Sequence, residues 1–237
     1  ALREAAETPL VALISLAGFG KTSLLVQLRR ELIATGSAVA WFTAEATDDS
    51  ATFISVLLAS VRMALACDLP APSFDQLGRT STDHQWVASE VLVQIHELAR
   101  PTYVLIDDLH NLTDGGSIDF LYYLIRNAPP NFHVVLSSRV APPFPVEELQ
   151  AHGLYVQFAT DDLRLRLEDT VAFLRRRLGD DIDIETCARL HERTEGWPMA
   201  LQIATAGIMK SRDVAGTVAR LSGATGDIAR YFAQFVL

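Results

Sequence analysis

Leu10-Val11-Ala12-Leu13-Ile14-Ser15-Leu16-Ala17-Gly18-Phe19-Gly20-Lys21-Thr22-Ser23-Leu24-Leu25 is the stretch that decides the fold. Residues 10–16 are almost continuously apolar, the pattern of a strand buried on both faces, and they run straight into a glycine turn. A helix starts at about Lys21, where Leu24, Leu25, Leu28 and Leu32 recur at helical spacing, and Gly36 supplies the stop expected just past a helix end. Strand, glycine turn and helix in this order let successive backbone N–H groups face phosphate oxygens, while the helix N-terminus adds about half a positive charge. Ala17, Gly18, Phe19 and Gly20 form the cradle, and Lys21 is expected to reach the β- and γ-phosphates. Thr22 is expected to place its hydroxyl on Mg2+, and Ser23 to neighbour the α-phosphate. The stretch therefore reads as a P-loop for ATP or ADP with Mg2+. The pattern GxxxxGK[ST] is missed at one position, where Ser15 stands in place of the first glycine.

Outward from the P-loop, strands and helices alternate. Residues 39–43 read as a second strand, followed by a helix carrying Phe53, Val56, Leu57 and Val61 on one side. Residues 70–81, rich in Pro, Ser, Gly and Thr, read as a surface loop, and Val87, Val91, Ile95 and Leu98 mark the next helix. Strands are expected at 103–106, 132–136 and 154–158, with a helix at 118–126 between the first two and a proline-rich loop at 141–145 before the last. This alternation implies a mostly parallel five-stranded sheet covered by helices on both faces, spanning residues 1–159. After Thr160 strand signals stop, and helices at 167–178, 184–193 and 198–210 form a small helical lid over 160–210. Ile228, Tyr231, Phe232 and Phe235 share one helical face, so 211–237 is expected to begin a further helical or winged-helix region.

Two further stretches carry chemistry. Tyr103-Val104-Leu105-Ile106-Asp107-Asp108 ends an apolar strand on two acids. Asp107 is the metal candidate, because a carboxylate at a strand's C-terminal end can hold Mg2+ beside a P-loop. Asp108 stands where a carboxylate would orient or deprotonate attacking water, although paired acids at such a boundary are also ordinary helix caps. In sequence, one strand separates the P-loop strand from the acidic strand and another follows it. That order is compatible with the ATPase branch of P-loop folds, in which a strand is inserted between the two motif strands. Arg139, just beyond the later strand, is then a γ-phosphate sensor or a surface arginine. His110 reads as packing rather than nucleotide contact, and Glu45 and Asp48 as loop solvation.

Composition narrows the classes. The 237 residues are 49% hydrophobic and 21% charged, which gives a globule rather than a disordered chain. A formal net charge of -9 disfavours a phosphate-backbone surface, so any DNA contact is expected outside this chain. Arg175-Arg176-Arg177 is short and followed by Asp180-Asp181, as in a solvated helix end. Cys67 and Cys187, the only cysteines, have neither metal-ligand nor redox spacing, in keeping with a cytoplasmic location. Residues 53–66 are too short to span a bilayer and carry Arg62, and no signal peptide precedes them. The chain opens on Ala1 rather than Met, as a piece of a longer protein would.

Ala17-Gly18-Phe19-Gly20-Lys21-Thr22, Leu105-Ile106-Asp107-Asp108-Leu109-His110, Ser137-Ser138-Arg139 and Thr194-Glu195-Gly196-Trp197-Pro198 occur in an order that resembles the MalT-type signal-transduction ATPases of the STAND class. Trp41 and Phe53 fit the same pattern. Such modules sit in large bacterial regulators ending in a LuxR-type helix-turn-helix. The resemblance implies a nucleotide-controlled switch, in which ADP holds a closed state and ATP with an inducer permits self-association. It also implies that Arg139 reads the γ-phosphate and that Pro198 packs near the base. The expected function is a slow regulatory ATPase, with Lys21, Asp108 and Arg139 as catalytic residues. The alternative is a P-loop kinase or phosphotransferase acting on a small molecule, for which the helical segment offers no acceptor-binding constellation. A nucleotide-binding scaffold without hydrolysis is the third reading.

Overall fold

Five strands, β1 Leu10–Ile14, β2 Ala38–Thr43, β3 Thr102–Asp107, β4 Phe132–Ser138 and β5 Tyr155–Phe158, join in one parallel sheet. The computed structural model describes residues 2–46, 49–65, 84–98, 100–211 and 216. The expected loop at 70–81, Asp48, Cys67 and the helical face at 228–235 lie outside those residues, as does nearly all of the expected third region. The sheet order is β2-β3-β4-β1-β5. β4 therefore lies between β1 and β3, with Ser137 opposite Leu13 and Leu136 opposite Ile106, the inserted-strand arrangement with which the order of strands in the sequence is compatible. Because the sheet is parallel, β1, β3 and β4 all deliver their C-terminal residues to one edge.

The central strands are buried throughout: every residue of β3 and β4 is buried, as are the first four of β1. Side chains alternate between faces. Leu10, Ala12, Ala40, Phe42, Val104, Ile106, Val134 and Leu136 share one core with helices α3 Ser50–Ala64, α4 His84–Glu97 and α5 Gly115–Arg126. Within it Phe53 meets Phe42 edge-on at 5.1 Å and Phe120 at 6.4 Å. The opposite-parity residues Val11, Leu13, Leu105 and Val135 are equally buried, and α2 Lys21–Ala34 packs on β2, β3 and β4. A short α1, Leu2–Ala5, precedes β1, and α6, Val146–Ala151, precedes β5.

Local chemistry sets the element ends. α2 stops in a Schellman motif: Gly36 takes φ 84°, its N–H reaches the Ile33 carbonyl, and Ser37 N–H reaches that of Leu32 at 3.1 Å. α5 starts earlier than apolar periodicity suggests because Asp114 caps it, accepting from Ser117 N at 2.8 Å. β1 ends at Ile14, short of the expected residue 16, and Leu16 is 68% exposed. Val56 is also exposed. The buried stripe of α3 runs through Phe53, Ile54, Leu57, Leu58 and Val61, on the side of the helix away from Val56. α6 has a single buried residue, Leu149, too little periodicity to read beforehand.

The chain divides into two compact units, one comprising residues 1–15 and 21–159, the other Leu16–Gly20 together with the chain from Thr160. The second unit contains α7 Leu167–Leu178, α8 Ile184–Thr194 and α9 Pro198–Ser211. They bury Leu174, Cys187, Leu190, Leu201, Ala204 and Ile208. No helix among the described residues is long and apolar enough to cross a membrane.

Candidate functional site

The glycine loop leaves β1 and enters α2 through two left-handed residues, Gly18 at φ 82° and Gly20 at φ 79°. Lys21 is the first residue of α2 and only 7% exposed, and its Nζ donates to the Ser15 carbonyl at 2.6 Å. Burial lowers its pKa from the usual lysine value; Asp108 and Asp107 pull it back up, and Arg139 pushes it down. Thr22 and Ser23 stand exposed on the first turn and line an open groove of about 470 Å³ with Val26, Gln27 and Arg30.

At the end of β3, Asp107 is 4% exposed. Its Oδ1 accepts from the Ser137 hydroxyl and from Asp108 N–H at 3.2 Å. The same Asp108 N–H lies 3.0 Å from Ser137 Oγ. Asp108 itself is left-handed at φ 54°, ψ 41°, an uncommon state for a residue with a Cβ, and its side chain is 37% exposed. Such strain, about 1 kcal/mol or more, gathers at functional positions. The His110 imidazole lies 3.9 Å from Asp108 Oδ1, beyond hydrogen-bonding range, and its side chain is 15% exposed. Burial lowers the His110 pKa, with Asp108 raising it and Arg139 and Lys21 lowering it further.

Arg139 is exposed on the segment after β4, where Ser138 Oγ accepts from Val140 N at 3.2 Å. Its charge is felt at both Lys21 and His110. Lys21, Asp107, Asp108 and Arg139 therefore meet at one edge of the sheet, with the two acids and the arginine all within electrostatic reach of the lysine. Among the described residues no three His, Cys, Asp or Glu side chains form a metal cluster. A buried carboxylate at the end of β3 and an exposed threonine hydroxyl on the first turn of α2 are oxygen donors of the kind that suit Mg2+, which takes few protein ligands and completes its shell with phosphate and water.

In the second unit the loop residue Phe19, 6% exposed, stacks on Trp197 with ring centroids 5.9 Å apart, and the Arg164 guanidinium lies 5.8 Å from its ring centre. Arg164 is held in turn by Glu195, at 3.2 Å to the carboxylate and 2.8 Å to the carbonyl, and by Asp161 at 3.1 Å. The Gly18 carbonyl accepts from Met199 N at 3.2 Å, and a Cβ at Gly18 would fall 2.8 Å from Met199 Cβ. Pro198 is half-buried as the first residue of α9, where its missing N–H costs nothing. Ala17 and Gly20 are half-buried in the loop. Neither periodicity nor spacing singles out Ser137, Arg164 or Trp197 as partners of these groups; their roles rest on contacts between distant segments.

A model of the family described as Nephrocystin 3, N-terminal, matches residues 2–139. The HTH-type transcriptional regulator MalT of Vibrio campbellii is 28% identical over 93% of this chain and 24% of its own length. The serine/threonine-protein kinase PknK of Mycobacterium tuberculosis is 27% identical over the whole chain and 21% of its own length. The chain thus spans about a quarter of these relatives, and the MalT-type resemblance read from the motifs is borne out. Among solved structures, a Walker-type ATPase of Pyrococcus abyssi superposes with a TM-score of 0.66 at 17% identity, covering 98% of this chain and 72% of that one. AMPPCP-bound DnaA from Aquifex aeolicus superposes at 0.51 with 13% identity, covering 99% and 67%. The fold is that of the P-loop ATPases.

Proposed function

The chain belongs to the Nephrocystin 3, N-terminal, family, and we propose that it is a nucleotide-binding regulatory ATPase module whose ATP or ADP state governs self-association of a longer transcriptional regulator, as its likeness to MalT suggests. The observation that carries the reading is Lys21, buried at the mouth of a glycine loop, bonded to a loop carbonyl and facing the charges of Asp107, Asp108 and Arg139. A buried ammonium bonded to a carbonyl is poised to exchange that carbonyl for phosphate oxygens at little desolvation cost.

In this reading Lys21 leaves the Ser15 carbonyl and engages the β- and γ-phosphates, while N–H groups of residues 17–23 hold the remaining oxygens. Thr22 and Asp107 would hold Mg2+, which when bound would supply positive charge to offset that of the phosphates. Asp108 orients a water and takes its proton as the new oxygen–phosphorus bond forms and ADP leaves. Arg139 stabilises the γ-phosphate charge, and Pro198 packs by the base. DNA contact belongs to a segment outside residues 1–237. Phe19 supports the switching role, since the loop that cradles phosphate packs as part of the helical unit, with Trp197 and Arg164 on its ring.

Calorimetry with ATP or ADP and Mg2+ tests the reading. The unmodified chain is expected to bind both, and Lys21→Ala to lose most of the affinity. At a ligand concentration about a thousandfold above Kd, stabilisation should approach roughly 4 kcal/mol, which a thermal melt detects. Equal affinity in Lys21→Ala would refute the phosphate role. Light scattering of a longer chain in ATP and in ADP tests the switch, and identical sizes would count against it.

A further inference from the structure

Ser137 is fully buried in β4, the strand inserted between the P-loop strand and the acidic strand. A hydroxyl has one proton to donate and lone pairs to accept. Here the donor goes to Asp107 Oδ1 and the oxygen faces Asp108 N–H at 3.0 Å. Asp108 N–H also points to Asp107 Oδ1 at 3.2 Å, so the three residues close a small ring of hydrogen bonds. Among the described residues, both hydrogen bonds that the Asp107 carboxylate accepts fall on Oδ1. The carboxylate is thereby fixed by one oxygen, and Oδ2 keeps its lone pairs for another partner. The ring also uses the Asp108 N–H, so one hydroxyl contacts the side chain of the first acid and the backbone of the second. Ser138, the next residue, serves a different end, accepting from Val140 N after the strand has finished.

We propose that Ser137 is a positioning residue for Mg2+, holding Asp107 by Oδ1 so that its carboxylate is pre-oriented for the cation and tying Asp108 to the same hydroxyl. The inference rests on the nucleotide-binding reading of the site. Groups that orient a metal ligand typically contribute about 10- to 100-fold to metal affinity. Without the donor, Asp107 loses the bond that selects one orientation of its carboxylate, and the metal must hold it unaided. Contacts of the glycine loop with phosphate do not pass through Ser137, so Mg2+-free nucleotide binding is independent of it.

The test is calorimetric titration of ADP into the full chain, in excess EDTA and over a Mg2+ series, for the unmodified protein, Ser137→Ala, Ser137→Cys and Ser137→Thr, with Asp107→Asn marking loss of the carboxylate. Ser137→Ala and Ser137→Cys, the latter preserving volume with a weak donor, should need at least about tenfold more Mg2+ for half-effect. Their ADP affinity in EDTA should match the unmodified chain, and Ser137→Thr should restore the normal Mg2+ requirement. An unchanged Mg2+ requirement in the Cys variant, or a Thr variant as impaired as Ala, overturns the assignment. An unmodified chain that binds no ADP refutes the nucleotide reading itself, and this inference with it, so the two failures are told apart in the first titration.

Discussion

Gly196 stands where a single methyl group should do measurable harm. Its φ is 68°, and a Cβ built there would lie 2.2 Å from the Leu165 carbonyl oxygen. A carbon–oxygen contact normally starts at roughly 3.3 Å, so the two backbones would have to separate by about 1 Å. That displacement strains the bond from Leu165 N to the Gly196 carbonyl, 2.9 Å long, and the one from Gly196 N to His191 O at 3.3 Å. The left-handed state costs Ala about 1–2 kcal/mol, and each weakened bond adds about 1 kcal/mol, so Gly196→Ala should destabilise the helical unit by roughly 3 kcal/mol. Gly36→Ala is the control: its φ is 84° with no atom within 4 Å, so it carries the conformational cost alone, about 1 kcal/mol. Both substitutions stiffen the unfolded chain alike, so that contribution cancels in the comparison. Hydrogen exchange followed by mass spectrometry reads each locally, over α8 and α9 for Gly196 and over α2 for Gly36. A Gly196 variant no more costly than the Gly36 variant would refute the argument that close backbone approach, rather than turn conformation alone, selects glycine before Trp197 and Pro198.

Phe19→Ala should expose the loop and destabilise the second unit by about 3 kcal/mol, whereas Phe19→Leu, which keeps most of the burial but loses the stack on Trp197, should cost about 1 kcal/mol. Exchange rates over residues 16–20 measure both, and equal effects would show that the stack contributes nothing. His133 is 6% exposed and lies against Tyr103 at 4.7 Å. Burial lowers its folded-state pKa below the unfolded value of about 6.5, outweighing the pull of Glu7 and Thr8. The folded state then binds fewer protons, so stability is complete above about pH 6.5 and is lost as pH falls through the folded pKa. Urea denaturation at stepped pH should show this slope, and His133→Phe should flatten it; an unchanged slope would exclude His133 as its source.

Much of the fold was legible because its signals are local. Apolar runs of strand length at 10–16, 103–106 and 132–136 marked the buried central strands, the first of them two residues too long, and leucines spaced along α2 marked the helix that follows the glycines. Where local signals were weak, legibility fell. Val56 fits the helical pattern of α3 but turns away from its buried stripe, because periodicity locates a stripe only to within a neighbouring position. α6 buries one residue and leaves almost no pattern. At the site, Lys21, Thr22, Asp107 and Arg139 could be named because phosphate and metal chemistry demands those types at strand and helix ends. Ser137, quoted only as a neighbour of Arg139, could be given no role, since a serine near the end of an apolar strand looks like any other until the strand is known to lie beside β3.

The sequence by itself determined the alternation of strands and helices, the glycine loop with its lysine, and the acids and arginine that end later strands, since each is encoded within a few consecutive residues. Tertiary structure alone decided that β4 is inserted between β1 and β3, which sets the Ser137 hydroxyl against Asp107 and Asp108. It alone decided that Phe19 packs with Trp197 and Arg164, residues more than a hundred positions away. The physical reason is common to both. Strand order and aromatic packing are settled by which buried surfaces fit together across the whole chain, and no window of neighbouring residues contains that information.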